Sequence, residues 1–153
     1  MKVEYVEPFV EAACSVLSQV SGGKAAPQPL GMLGTMFSAS CVNIVTRVDG
    51  SLHGDVVYSM SSLTANKLAG LLVGTETHGF GRLMGNGLSR LGEMLASRTD
   101  SLLSNRGLDC HISRPTVFQG MNVEFSLSAP ALAVPIVTEV GRIDVNVAVR
   151  NDE

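Results

Sequence analysis

One row of polar side chains on a predicted long helix holds the groups most able to do chemistry. Helical periodicity from residue 82 to residue 105 sets a polar face opposite an apolar stripe that consists of Met84, Leu88, Leu91, Leu95 and Leu102. The polar row consists of Asn86, Arg90, Glu93, Ser97, Asp100 and Ser104. Its amide, guanidinium and carboxylate groups are suited to charge pairing and hydrogen bonding. The simplest interpretation is a solvated face with an Arg90–Glu93 ion pair that stabilises the helix by about 0.2–0.5 kcal/mol.

The other candidate motifs are incomplete. Gly22-Gly23-Lys24 lacks both the spacing and the following Ser or Thr of a phosphate-binding loop. His53, His78 and His111 are isolated and have no metal-ligand spacing. No serine lies in the GxSxG context of a hydrolase nucleophile. The sequence therefore predicts no nucleotide site, no metal site and no catalytic triad on this chain.

Composition and charge exclude several classes of protein. The 153 residues are 45% hydrophobic and 16% charged, with a formal net charge of −3, so no basic surface is expected to bind nucleic acid. No apolar run is long enough to span a membrane, and the charged segment 1–11 does not resemble a signal peptide. Three scattered cysteines form no CxxC pair. We expect a cytoplasmic protein with no membrane insertion and no nucleic-acid partner.

Two long helices and one short helix are predicted. The first long helix is expected to begin at Pro8, which suits the first helical position, and to end at Gly22-Gly23. A short helix, bounded by a serine and a glycine, is predicted from residue 63 to residue 73. The second long helix covers residues 82–105, and Gly107 lies just past its end.

Strand signals flank these helices. Residues 40–48 and 51–60 are predicted to form a hairpin because Asp49-Gly50 is a strong turn signal. Residues 24–37 are rich in Pro and Gly and are expected to form a loop. The other strand candidates cover residues 108–113, 122–127, 133–140 and 142–149. Because the connections between strands are short, the fold class is α+β with a largely antiparallel sheet.

A short internal repeat suggests that the fold is a pseudo-duplication. Ile44–Val48 reads IVTRV and Ile136–Val140 reads IVTEV, and each leads through a Gly-containing turn into a second β-rich run. An amphipathic helical stretch precedes each copy at some distance. We predict a single domain over residues 1–153, built from two helix-plus-hairpin halves, roughly 1–78 and 79–153.

Five segments of the chain carry a resemblance to a known family. They are Pro8–Glu11, Ser61–Gly74, Met94–Ser97, Gly107–Val117 and Val134–Val149. In this order and spacing they resemble the CheX group of the CheC/CheX/FliY chemotaxis phosphatases. The resemblance implies two helix-plus-hairpin halves, and hydrolysis of the aspartyl phosphate on the response regulator CheY, a receiver protein. It implies catalysis by positioning, with Mg²⁺ held by the receiver and no cofactor on this chain.

The resemblance also points to particular residues. The family motif is an Asp or Ser, three residues, a Glu that pairs with a receiver Lys, two residues, an Asn that orients the attacking water, and a Pro about twenty residues on. Aligned without gaps from Met94 and Pro115, these three positions hold Asn86, Arg90 and Glu93. We expect Glu93 to carry any catalysis, with Arg90 and Asn86 as polar contacts. Contacts to the partner are expected from Ser89, Ser97 and Asp100.

The chain departs from the family chemistry at these positions. Arg90 would meet the receiver Lys with the same sign of charge, and a Glu93 carboxylate cannot donate a hydrogen bond to a phosphoryl group. A second register matches Leu91-Gly92-Glu93 to the family's Leu-Gly-Glu and sets Ala96 in the Asn position. It needs a three-residue deletion before Met94, which would rotate the helix by about 300°, so we prefer the first. Neither register retains the Asn.

The first helix is expected to carry no second site. Two-site members of the family have a motif there, whereas this chain has Glu11 followed by Cys14 and no Asn. The acidic residues Glu4, Glu7 and Glu11 are expected to form a solvated face.

Two functions remain open. The chain either binds a phosphorylated CheY-type receiver and accelerates its dephosphorylation, or it is a phosphatase-inactive adaptor that binds a receiver or the flagellar switch. The missing Asn motivates the second. We also expect a homodimer, by analogy with the family and because open sheet edges need covering.

Overall fold

The computed structural model describes residues 3–29, 31–32, 36–38, 42–120, 124–126 and 131–151. The helices in these ranges are α1 (Val3–Ser21), α2 (Ser62–Val73) and α3 (Arg82–Asn105). The strands are β1 (Ala26–Pro27), β2 (Gly31–Met32), β3 (Met36–Ser38), β4 (Val42–Gly50), β5 (Leu52–Met60), β6 (Cys110–Ile112), β7 (Thr116–Gln119), β8 (Glu124–Ser126), β9 (Leu132–Thr138) and β10 (Gly141–Asn151). The predicted α+β class with two long helices and one short helix is confirmed.

A sheet with antiparallel pairing forms the frame of the molecule. Its order is β1-β9-β10-β5-β4-β6, with β2 also paired to β9 and β7 also paired to β4. The pair β5–β10 lies at the centre, in a register that runs from Ile143 opposite Met60 to Asn151 opposite Leu52. Strands β3 and β8 pair separately as a two-stranded sheet. The predicted largely antiparallel sheet is confirmed.

The repeated segments lie on equivalent strands of this sheet. The first copy is on β4, and the second begins on β9 and ends in the turn before β10. The hairpins β4–β5 and β9–β10 meet at the central pair. Short strands from each half of the chain pair with the hairpin of the other half. Strands β1 and β2 pair with β9, whereas β6 and β7 pair with β4. Each half therefore completes the sheet of the other half.

Local caps fix the limits of α2 and α3 as predicted. The Ser61 Oγ accepts a hydrogen bond from the Thr64 backbone N–H at 3.2 Å. Gly74 ends α2 in the left-handed conformation with φ of 81°. Gly107, with φ of 76°, follows α3 in the same way.

The prediction that α1 begins at Pro8 is wrong. The helix begins at Val3, so Pro8 lies inside it. Val6, which precedes Pro8, is 2% exposed and belongs to the core. Burial of this turn extends the helix, even though Pro8 cannot donate a backbone hydrogen bond to the preceding turn.

The strand predictions missed short strands that have distant partners. Strand β7 was not predicted, and the region predicted as a loop, residues 24–37, contains β1, β2 and the start of β3. Residues 30 and 33–35 of that loop lie outside the described part of the chain. These strands are two to four residues long and pair with β9, β8 or β4, so no local periodicity marks them.

Both long helices pack on one face of the sheet, and together they bury a common core. The stripe Met84, Leu88, Leu91 and Leu95 is buried as predicted. Leu102 is only half-buried, because the buried face shifts toward Thr99 and Leu103, where α3 contacts β4 and β6. Among the described residues, no helix is long and apolar enough to cross a membrane.

Candidate functional site on helix α3

The predicted polar row of α3 faces solvent. Asn86, Arg90 and Glu93 are all exposed, and so are Ser97 and Asp100, whereas Ser89 is half-buried. The buried leucine stripe on the opposite side of the helix fixes this orientation. The structure therefore brings the three motif positions together on one accessible face.

Arg90 is attached to α2 and does not pair with Glu93. Its Nη1 donates a hydrogen bond to the Leu72 carbonyl oxygen at 3.3 Å, in the last turn of α2. Carbonyl groups in the last turn lack partners within the helix and carry a partial negative charge. Within the described part of the chain, the Glu93 carboxylate makes no hydrogen bond and no ion pair. The expected Arg90–Glu93 pair is thus wrong, and the Glu93 charge is available to a partner.

A glycine contact brings α2 close enough for this bond. A Cβ added to Gly87 would lie 2.7 Å from the Ala69 Cα, a distance that real side chains do not reach. Only glycine lets the two helix backbones approach this closely. The contact lies one turn before Arg90, so it sets the C-terminal turn of α2 beside the guanidinium.

A second glycine contact fixes the position of Glu93. A Cβ on Gly92 would lie 2.6 Å from the Pro115 Cβ and 3.0 Å from the Ile44 Cγ2. Pro115 therefore packs directly on α3, next to the residue that precedes Glu93. This is the proline that the gap-free register counts as part of the motif. Ala96, which the second register sets in the Asn position, is half-buried.

A groove of about 780 Å³ runs between α3 and α1. Its walls are formed by Ser15, Val16 and Gln19 of α1 and by Arg90, Glu93, Met94, Ser97, Arg98 and Ser101 of α3. Asn86, Ser89 and Asp100 do not line it. The predicted site is therefore divided, with one part in the groove and the rest on the neighbouring surface of α3.

Gln19 and Arg98 are among the groove residues that the sequence analysis missed. Their side chains make no hydrogen bond or ion pair with any described residue. Arg98 lies on the flank of α3 rather than on its outermost row, and Gln19 joins the site only because α1 packs against α3. Helical spacing within α3 could have indicated Arg98, but no spacing within a single helix could have indicated Gln19.

The groove combines a free carboxylate, cationic groups and an amide. Glu93 accepts hydrogen bonds, whereas Arg98 and the Gln19 amide can donate them to an anion. In the ranges that the structure describes, no three His, Cys, Asp or Glu side chains are grouped to hold a metal ion. This set of groups can orient a water molecule beside an anionic group on a partner.

Comparison with known proteins identifies the fold and the proteins to which the chain is similar. No protein-family model matches the chain. A curated relative, the CheY-P phosphatase CheX of Thermotoga maritima, is 29% identical over 93 residues, which span 60% of this chain and 60% of that relative's own length. The structure of the chemotaxis protein CheX from Desulfovibrio desulfuricans matches with a TM-score of 0.84, at 20% identity, over 97% of this chain and 99% of that chain.

A complex of CheX with CheY, BeF₃ and Mg²⁺ from Borrelia burgdorferi contains a further match. Its TM-score is 0.78, with 25% identity, and the match covers 98% of this chain and 100% of that chain. In sequence and in fold, the chain is similar to CheX-like members of the CheC/CheX/FliY family. Asn86, Arg90 and Glu93, which the gap-free register assigns to the family motif, lie on the exposed face of α3.

Helix α1 of the CheX-like chain differs from α3 in its charges. The Glu7 Oε2 lies 3.3 Å from the Arg106 Nη1, and the Glu11 Oε2 lies 3.6 Å from the Arg106 Nη2. The expected solvated acidic face is confirmed, because Glu4, Glu7 and Glu11 are exposed, and a cation from the end of α3 also pairs with two of these carboxylates. Cys14 is half-buried, and burial raises the pKa of its thiol.

Proposed function

We propose that this CheX-like chain binds a phosphorylated CheY-type receiver over the groove beside α3 and accelerates hydrolysis of its aspartyl phosphate. The observation that carries the proposal is the free, exposed Glu93 carboxylate at a motif position, held in place by the Gly92–Pro115 contact. The relatives support the choice of partner and reaction, since one is a CheY-P phosphatase and another is a CheX in complex with CheY.

The proposed chemistry divides the work between the two proteins. Water attacks the phosphorus atom, the bond from phosphorus to the receiver aspartate oxygen breaks, and inorganic phosphate and a free aspartate leave. The receiver supplies the acyl phosphate and the Mg²⁺, so this chain needs no cofactor of its own. Glu93 accepts a hydrogen bond from the attacking water and takes its proton as a general base.

Neighbouring side chains offset the repulsion between the Glu93 carboxylate and the phosphoryl group of the receiver. A carboxylate near a phosphoryl group is unfavourable unless cations lie close to both. Arg98 lines the groove together with Glu93 and has no partner among the described residues. The Gln19 amide can donate the hydrogen bond that Glu93 cannot, so α1 supplies an amide to a groove whose α3 wall has none.

The decisive experiment is phosphate release from a phosphorylated CheY-type receiver with Mg²⁺ present. Purified wild-type chain added at stoichiometric concentration should accelerate release above the rate of the receiver alone. Binding is measured in parallel by titration of the receiver in both phosphorylation states. Binding without acceleration would favour the adaptor function instead, and the absence of both would overturn the proposal.

We further propose that the chain acts as a homodimer in the cytoplasm. The support is the family analogy, the free thiols of Cys14 and Cys110, and the outermost strands β1 and β6 of the main sheet. Light scattering at tens of micromolar should give twice the mass of one chain. A monomeric mass would contradict the dimer but would leave the proposed reaction intact.

A further inference from the structure

Two large apolar side chains are exposed where α3 begins. Phe80 is 49% exposed and Leu83 is 51% exposed. Leu83 precedes Arg90 by seven residues, so the two lie about 20° apart around the helix and belong to the same line of the surface. A single exposed leucine would be ordinary. Here the apolar pair continues the polar row of Asn86, Arg90 and Glu93 toward the start of the helix.

The segment that carries this pair is fixed to the sheet. The Gln119 side chain, on β7, hydrogen-bonds to both backbone groups of Gly81. Its Nε2 donates to the Gly81 carbonyl oxygen at 3.2 Å, and its Oε1 accepts from the Gly81 N–H at 2.8 Å. Gly81 lies between Phe80 and the first turn of α3, so both side chains are presented from an ordered backbone. A partner would therefore meet a preorganised surface.

The charges around the pair favour an anionic partner. Arg82 and Arg90 are exposed on this part of α3, and Arg82 has no ion pair among the described residues. The N-terminus of a helix adds partial positive charge. A second copy of this chain docking through the same patch would bring like charges together across a twofold axis. A receiver that carries an aspartyl phosphate has the complementary sign.

We propose that Phe80 and Leu83 form the apolar anchor through which the phosphorylated receiver docks on α3. The inference rests on the proposed function and adds a division of roles. The pair provides affinity, because large apolar side chains next to polar groups dominate many protein interfaces. Glu93 provides the chemistry.

The test compares binding with maximal rate. The variants Phe80→Ser and Leu83→Ser are titrated with a purified CheY-type receiver in its phosphorylated state, and phosphate release is then measured at saturating receiver. Each variant should raise Kd at least tenfold and leave the maximal rate within twofold of the wild type. Val3→Ser is the control, because Val3 is a 53% exposed apolar residue in the first turn of α1 and lines a pocket with Arg106, at the opposite end of α3. It should leave Kd unchanged.

Each other outcome overturns a defined claim. If the wild type binds the receiver and both serine variants bind equally well, the anchor is wrong while the proposed function stands. If the variants instead change the mass in solution and leave receiver binding intact, the patch is covered by a second copy, and the anchor is again wrong. If the wild type neither binds nor accelerates phosphate release, the proposed function fails and the anchor fails with it. Unchanged thermal midpoints show that the substitutions act on docking and not on folding.

Discussion

Helices α1 and α3 lie on the same face of the sheet, but their outward carboxylates have different surroundings. On α1, Glu7 and Glu11 both pair with Arg106, which follows the C-terminal end of α3. On α3, Glu93 has no partner in the described part of the chain, because Arg90 is bonded to α2. Two helices on one scaffold can therefore differ in the availability of their carboxylates through the location of a single counter-ion.

The two helices also differ in how polar groups attach them to the sheet. On α3, the buried Thr99 side chain hydrogen-bonds to Tyr58 of β5, which is fully buried. On α1, the hydroxyl of Tyr5 accepts a hydrogen bond from the Asn151 Nδ2 at 2.6 Å, and this contact is only partly buried. The helix with the free carboxylate is thus anchored in the interior.

The largest expected effect distinguishes the Glu93 carboxylate of α3 from the Glu11 carboxylate of α1. Glu93→Ala should lower the receiver dephosphorylation rate by roughly 100-fold, the typical contribution of a general base. Glu11→Ala, the matched change on α1, should leave that rate within twofold. Stopped-flow phosphate release measures both variants. Equal losses in the two variants would show that the charge difference between the helices has no functional meaning.

The next effect concerns the close contact of α3 with the sheet. Gly92→Ala would set a methyl group 2.6 Å from the Pro115 Cβ, so we expect the free energy of unfolding to fall by about 1–3 kcal/mol. Gly85→Ala is the control, because its new methyl group meets only the flexible Gln119 Nε2 at 3.0 Å. Urea denaturation compares the two variants. A Gly92→Ala protein as stable as the wild type would mean that Pro115 does not fix the helix.

The interior anchor of α3 should appear in the pH dependence of stability. Burial raises the pKa of Tyr58, and the hydrogen bond with Thr99 offsets this in part. Above the unfolded pKa of about 10, the unfolded chain loses a proton that the folded protein keeps, so stability falls by about 1.4 kcal/mol per pH unit. Tyr58→Phe should remove this alkaline loss. Denaturation midpoints between pH 7 and pH 11 test it, and an unchanged alkaline slope would refute it.

The smallest effect comes from the surface cations. Arg106→Ala should lower stability by less than about 1 kcal/mol, because exposed ion pairs contribute little. Arg90→Ala should cost about 0.5–1 kcal/mol through loss of the interaction at the end of α2. In 0.5 M salt the Arg106 effect should shrink further. A loss of several kcal/mol for Arg106→Ala would show that the α1 pairs are structural and not merely neutralising.

Local signals predicted the parts of the fold that local interactions decide. The limits of α2 and α3 follow from Ser61, Gly74 and Gly107, and the structure confirms them. The start of α1 did not follow, because burial of Val6 carries the helix past Pro8. Strand β7 was missed for a similar reason, since its partner β4 lies about seventy residues earlier in the chain.

The candidate site shows the same limit of sequence reasoning. The exposed row of α3 could be predicted, because helical spacing alone determines which residues share a face. The partner of Arg90 could not, because Leu72 belongs to another helix and reaches Arg90 only through the Gly87–Ala69 contact. Gln19 was missed because no spacing within α1 indicates what packs beside it.

The crossed short strands have a consequence for the order in which the chain acquires structure on the ribosome. Synthesis delivers β1, β2, β4 and β5 long before β9 and β10 exist. Until those last strands emerge, β1 and β2 have no edge to join and β5 lacks one of its neighbours. The sheet therefore closes only after β9 and β10 have emerged, and a nascent chain must keep its open edges apart from those of other chains until then.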